Sequence, residues 1–280
     1  MTRRIAVICA FSLLFALSAQ HVCAAEQEGA AGKPWERFSI TLGYFFTDMS
    51  SNVKIGSETF GVGADINMED ALGLDSTIAV FRSDLLWRFT GNRRHRIDFS
   101  YFDLSRDSTR TLQRDIEFND KIYSAGFTVE SEFDLAFYNL AYTYSFFQDD
   151  RFDIGASLGF HVTDIKLRLV SPDQGIYEEE AVTAPLPVLG IRGNFALTRK
   201  LFLKESIEFF YLEYDSFRGL LTDVNLALEY NVWKHVGFGI GYNSLHVEIE
   251  SDGEDYPTID FNGKVEYDYS GFQVYAKIYF

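Results

Sequence analysis

Ser244 and His246 stand two positions apart with Asn243 beside the serine, the nearest approach in this chain to a catalytic pair. Residues two apart in an extended strand share a face, so a hydroxyl nucleophile and an imidazole base would lie along one side. Hydrolytic chemistry asks for more: the base must reach the hydroxyl, and a third group must orient the base. A histidine flanked by Glu248 and Glu250 is more commonly hydrogen-bonded to solvent, so Ser244 and His246 are candidates only. His95, His161 and His235 are scattered, and the only cysteines, Cys9 and Cys23, lie near the N-terminus. No cofactor or metal site is assigned from these residues.

A second group could do electrostatic work. Arg82, Asp84, Arg88, Arg96, Asp98, Asp153, His161, Arg192, Lys204, Glu208, Asp223, Glu229 and Lys277 fall on the small or polar side of segments that alternate with apolar residues. Both signs are present. Buried charges need partners, so the expectation is an ion-pair network, with a charged conducting pore as its competitor. Glycines at 155, 159, 237, 239 and 241 share that side and would leave room for a narrow solute path. Acidic runs at Glu69-Asp70, Glu178-Glu179-Glu180 and Glu250 to Asp255 fall in connecting segments. Oxygen-rich loops suit hard cations, but the last run lacks the spacing of a calcium loop.

The elements that must position these residues are strands. Phe152, Ile154, Ala156, Leu158, Phe160 and Val162 interleave with Asp153, Gly155, Ser157, Gly159, His161 and Thr163, and a period of two over that length gives one apolar face. The pattern predicts about ten strands, with 8 or 12 as alternatives, near 37–48, 76–90, 94–105, 133–147, 151–169, 183–197, 201–214, 220–232, 235–248 and 264–280. Their connections alternate between tight turns, such as Gly91-Asn92-Arg93 and Trp233-Lys234, and mostly long loops. That asymmetry fits a transmembrane barrel with short periplasmic turns and long external loops. Candidate aromatic girdles are Phe89, Phe146, Phe147, Phe152, Phe202 and Trp233 on the turn side, and Tyr44, Phe46, Tyr101, Phe209, Tyr211 and Tyr242 on the other. Two places resist the layout: Glu205 falls on the apolar face unless a bulge turns it, and 110–132 alternates beyond the expected membrane span. Met68 to Leu74 reads as an amphipathic turn folding into the barrel mouth.

The N-terminus reads as an export signal: Arg3 and Arg4, an uncharged stretch from Ile5 to Leu17, then small residues around Ala24. That gives a signal peptide over 1–24, a short periplasmic segment over 25–36 and a barrel over 37–280. Lys+Arg number 25 against Asp+Glu 41, a formal net charge of −16. Losing Arg3 and Arg4 with the leader would make the mature chain more acidic still. Nucleic acid is excluded as a partner class, because binding it needs a basic face.

At the C-terminus Phe272, Val274, Ala276, Ile278 and Phe280 alternate up to a terminal phenylalanine. With the leader and the strand pattern, this resembles the small outer-membrane β-barrels of Gram-negative bacteria, the OmpA-type class, as architecture over about Phe38 to Phe280. The resemblance implies insertion by the barrel-assembly machinery through Phe272, Val274, Ile278 and Phe280, and outer-membrane lipid and lipopolysaccharide as surroundings. It leaves the oligomeric state open. Such barrels include omptin-like proteases, with Asp and His near the outer rim, and lipid A deacylases, with His and Ser on the lipid-facing wall. The function expected here is non-enzymatic: a structural or surface-interaction barrel with a largely plugged lumen. The alternatives are a narrow passive channel and an enzyme acting on lipopolysaccharide or peptides.

Overall fold

Alternation alone allows an open sandwich or a closed cylinder; hydrogen-bonding between the first and last strands decides. In the computed structural model, which describes residues 34–55, 66–119, 121–214, 217–252 and 262–280, β1 (Phe38–Ile55) pairs antiparallel with β13 (Asn262–Tyr279) from Ser39↔Tyr279 to Ile55↔Gly263. Between them run β3 (Thr77–Arg88), β4 (His95–Thr111), β7 (Thr128–Gln148), β8 (Phe152–Ser171), β9 (Ile176–Ala196), β10 (Leu201–Tyr214), β11 (Phe217–Asn231) and β12 (Val236–Asp252), each bonded to its neighbours. These ten strands form an up-and-down antiparallel barrel whose wall, among the described residues, closes on itself. The expected leader, and most of the segment expected to follow it, lie outside the described residues, as do half of the acidic run Glu250 to Asp255 and part of the link after Tyr214.

Side chains make the tight turns. Asp149 Oδ1 accepts from the backbone of Arg151 and Phe152, both at 2.7 Å, and Thr198 Oγ1 accepts from Lys200 and Leu201 at 3.1 and 2.9 Å. These are Asx- and Ser/Thr-type turns, which fix the strand exit without a longer loop.

At the other end the wall continues well past the expected boundaries. β4 and β7 pair as far as Thr111↔Thr128, and β8 and β9 as far as Ser171↔Ile176. Glu178, Glu179 and Glu180, expected in a loop, therefore lie within β9, on ladder positions opposite Leu169, Arg168 and Leu167.

Along these long strands the alternation keeps its period but reverses its polarity. On β8, Leu158 and Phe160 are exposed while Gly159 and His161 are buried; a few residues on, Ile165, Leu167 and Leu169 are buried while Asp164, Lys166 and Arg168 turn outward. The same reversal falls between Tyr101 and Asp103 on β4 and between Phe272 and Ser270 on β13. Where the wall meets lipid, apolar residues must face out; beyond it the surroundings are water, and burial favours an apolar inside.

The apolar inside of the loop end is completed by short elements. A strand, β2 (Ile66–Asn67), pairs with β1 and leads into α1 (Met68–Leu72). Asn67 caps the helix by accepting from Asp70 N at 2.8 Å, and Gly73 closes it at φ 75°, a left-handed position that favours glycine. Met68, Leu72 and Leu74 are all buried, so the expected amphipathic turn does fold into the mouth. β5 (Ile116–Phe118) and β6 (Lys121–Tyr123) form a separate small hairpin, and Leu112, Ile116, Phe118 and Tyr123 are buried in the same core. The alternation past 110 is thus partly continued wall and partly a hairpin folded over the mouth.

Two other expectations change. Phe202 is not a girdle residue: it points inward, buried, with its ring 6.3 Å from Trp35. Glu205 does stay on the outer face, in unbroken register with Gly193 and Leu226; the register shift that does occur lies at Ser145/Phe147. Nothing in the structure explains a carboxylate there.

Candidate functional site

The lumen is built in layers, each set by which strand residues point inward. At the turn end, Trp35 is buried, donating from Nε1 to Asp149 O at 2.8 Å, and Glu36 follows it inside. Lys204 reaches Glu36 Oε1 and Glu229 Oε2 at 2.9 Å each, and Lys277 lies 2.5 Å from Glu229. Arg88 joins Asp153 at 2.9 Å and donates to Glu36 O at 2.8 Å. Tyr275 hydroxyl donates to Glu229 at 3.0 Å. The space beside Gly239 is taken by that tyrosine ring, and the space beside Gly241 by Gln273. The room expected from inward glycines is therefore filled at those positions by the neighbouring strand.

The next layer holds Arg96 against Asp98 at 2.8 Å, Arg192 against Glu208 at 2.5 Å, and His161 between Glu208 and Asp223, with Nε2 3.6 and 3.4 Å from their oxygens. Asn139 and Asn243 donate amide hydrogens to Glu208 and Asp223 at 2.5 and 2.6 Å. Above them Arg82 holds Asp84 at 3.0 Å and donates to Asn243 Oδ1 at 3.1 Å. All thirteen residues point inward, and their contacts join them in two groups, one at the turn end around Glu229 and Asp153 and one above it around Glu208 and Asp223. Sequence reasoning missed Glu36, because it lies before the first strand and no alternation marks it. It also missed the asparagines, whose signal was only that they fall on inward positions.

Higher still the lumen becomes aromatic. Phe102 stacks on Phe137 at 4.5 Å between centroids, and Tyr269 stands edge-on to Phe45, Phe102 and Phe137 at 5.4 to 5.5 Å. Tyr267 packs on Phe137 at 5.8 Å and shares a 2.9 Å hydrogen bond with Thr163. Beyond this stopper, Arg106 clamps Glu69 of α1 at 2.6 Å and Ser51 at 2.7 Å, over the ring of Phe133. That pins the helix across the mouth.

Ser244 and His246 lie elsewhere, on the outer wall, just beyond the lipid-facing band. His246 is nearly buried, with Nδ1 2.8 Å from Asp268 Oδ1 on the adjacent strand, and its Nε2 is buried without a hydrogen-bond partner. Ser244 sits one outward position along, about 7 Å away at the backbone. Glu266 and Asp268 cluster with His246 closely enough to share an ion. The orienting carboxylate comes from β13, so spacing within β12 gave no hint of it.

The outward band carries Phe46, Leu140, Phe160, Leu189, Ile240 and Phe272, all exposed, with Trp87 and Trp233 near the turn end. This is the fold of an outer-membrane β-barrel. No family model matches the chain, and no curated protein matches it. Among solved structures, the outer membrane protease OmpT of Escherichia coli superposes with a TM-score of 0.57 at 10% identity, covering 90% of this chain and 99% of OmpT. The attachment invasion locus protein Ail of Yersinia pestis, in complex with a heparin analogue, matches at a TM-score of 0.36 and 13% identity, over 85% of this chain and 97% of Ail. At 10% identity the likeness to OmpT shows the barrel fold alone.

Proposed function

We propose that this protein is a non-conducting barrel of the outer membrane, with both termini periplasmic, acting through its outer surface and not through its lumen. The observation that carries this reading is the filling of the lumen in two chemically distinct tiers: an ion-pair floor from Trp35 to Arg82, and an aromatic stopper from Phe102 to Tyr269. Its outward face beyond the lipid band carries Asp48, Asp164 and Asp268, with Lys264 held between Glu248 and Glu266, and the surplus of acids favours cation-bridged contact with lipopolysaccharide phosphates. The terminal pattern Phe272, Val274, Ile278 and Phe280 faces lipid, where it would be available to the assembly machinery. Purified protein in planar bilayers should give no steady channel conductance; large, stable openings would overturn the reading.

A specific observation favours a second reading, hydrolysis of a lipid ester at the outer leaflet. His246 is oriented by Asp268, its free Nε2 has no partner, and Ser244 shares the face. These are the components of a nucleophile, base and orienter set. Overexpression would then change the acyl content of lipid A or phospholipid in mass spectra, and Ser244→Ala would abolish the change; unaltered spectra would remove this reading.

A further inference from the structure

We infer that the lumen contains a divalent metal site, formed by His161 Nε2, Glu208 Oε2 and Asp223 Oδ2, with zinc or a similar first-row ion as its occupant.

The first ground is charge. In the buried network each lysine and arginine has a carboxylate within ion-pair distance: Arg82 with Asp84, Arg88 with Asp153, Arg96 with Asp98, Arg192 with Glu208, and Lys204 and Lys277 with the pair Glu36 and Glu229. Asp223 is left over. Among the described residues its sole ion-pair neighbour is His161. Six cations thus face seven carboxylates, and the surplus negative charge, costly in a buried lumen, sits at Asp223, where a proton on His161 or a bound cation would balance it.

The second ground is distance, which separates a proton from a metal. A protonated imidazole facing a carboxylate closes to about 2.7–2.9 Å. His246 and Asp268 do so in the same molecule, at 2.8 Å. His161 does not: Nε2, buried and without a hydrogen-bond partner, stays 3.4 Å from Asp223 and 3.6 Å from Glu208. With bonds of roughly 2.0–2.2 Å, ligand atoms around a tetrahedral zinc lie about 3.3–3.6 Å apart. The gap is too wide for a strong hydrogen bond and suits the edge of a coordination shell.

The third ground is construction. Glu208 and Asp223 are directly opposed in the β10–β11 ladder, so their side chains are held side by side. His161 comes from β8, across β9, and on the intervening strand Gly190 stands opposite Glu208; a Cβ at Gly190 would lie 2.9 Å from Glu208 Cγ. The glycine lets the glutamate lean towards the histidine. Asn139 and Asn243 donate to Glu208 and Asp223 and fix their orientation, as partners behind metal ligands do. A cavity of about 140 Å³ borders both carboxylates and can supply water to a fourth position. One imidazole with two carboxylates suits zinc and its first-row neighbours better than calcium.

The test uses full-length mature barrel, refolded after metal stripping with either Zn²⁺ or Co²⁺ and then dialysed. One equivalent of metal should be retained by elemental analysis, and the Co²⁺ form should show the visible absorption of a low-coordinate ion. His161→Gln and Asp223→Asn should lose that metal, while His246→Gln, which probes the outer-wall cluster, should keep it. Heat-modifiable mobility on gels checks that each variant is folded, and the Co²⁺ spectrum of the unmutated barrel does not depend on any variant. A folded wild-type barrel that retains no metal overturns the site, and so does retention unchanged in folded His161→Gln.

Discussion

The guanidinium of Arg82 lies under the ring of Phe102, 5.6 Å from its centroid, at the seam where the charged floor of the lumen meets the aromatic stopper. A cation against an aromatic face gains electrostatic attraction without needing another hydrogen-bond acceptor. The contact lets two otherwise incompatible interiors abut. It also fixes where the polarity of β4 reverses, because Phe102 is the first inward residue of the apolar tier on that strand.

Arg88 and Asp153 are both about 1% exposed, so removing one partner leaves a buried charge unpaired. Arg88→Met should destabilise the barrel by about 3–5 kcal/mol. Equilibrium urea unfolding in lipid vesicles measures this. Arg88→Met combined with Asp153→Leu should recover much of the loss, because both charges are then gone; a double variant no better than the single would contradict the pairing.

The chain has three tryptophans, and the fold separates them: Trp87 and Trp233 face outward in the lipid band, whereas Trp35 is 1% exposed inside the turn-end mouth. Brominated acyl chains should quench the wild-type fluorescence strongly. In Trp87→Phe/Trp233→Phe the remaining emission should be insensitive to brominated lipid. Strong quenching of that variant would place Trp35 outside the barrel.

Two tiers close the lumen in series, so opening one should not be enough. Phe102→Ala with Phe137→Ala should cost several kcal/mol, since each large buried ring removed costs about 3–5 kcal/mol, yet leave bilayer conductance at baseline. Adding Trp35→Ala and Lys277→Ala at the turn end together with Arg82→Ala and Arg192→Ala in the layer above should raise conductance measurably. Conductance appearing with the aromatic substitutions alone would show that the charged floor does not seal.

Beyond the lipid band, the hydrogen bond from Tyr177 at 3.1 Å, then Lys166 at 3.3 Å, hold the Glu179 carboxyl below the ordinary carboxylate range. A lowered folded value means that any stabilisation is present above the ordinary carboxylate pKa and lost as pH falls through the folded one. The group is exposed, so the shift itself is the readout. Carboxyl ¹³C titration should show a depressed midpoint that rises in Tyr177→Phe; an ordinary midpoint in the wild type would contradict the contact.

The sequence by itself determined the period. Alternation through Phe152–Val162 and Phe272–Phe280 leaves β-structure as the only reading, and Asp149 and Thr198 write their own turns through local hydrogen bonds. The same alternation in the lipid band determined which charges point inward, because lipid admits only the apolar face. What the chain could not decide alone was which face is inside beyond that band. Ile165, Leu167 and Leu169 alternate as well as Leu158 and Phe160 do, and only closure of the barrel, with water outside and a shared apolar core within, sends one set in and the other out. Contacts between distant segments were equally beyond reach. Glu36 meets Lys204 and Lys277, His161 meets Glu208 and Asp223, and His246 meets Asp268, because cylinder closure and strand register set those distances, and no local spacing records them.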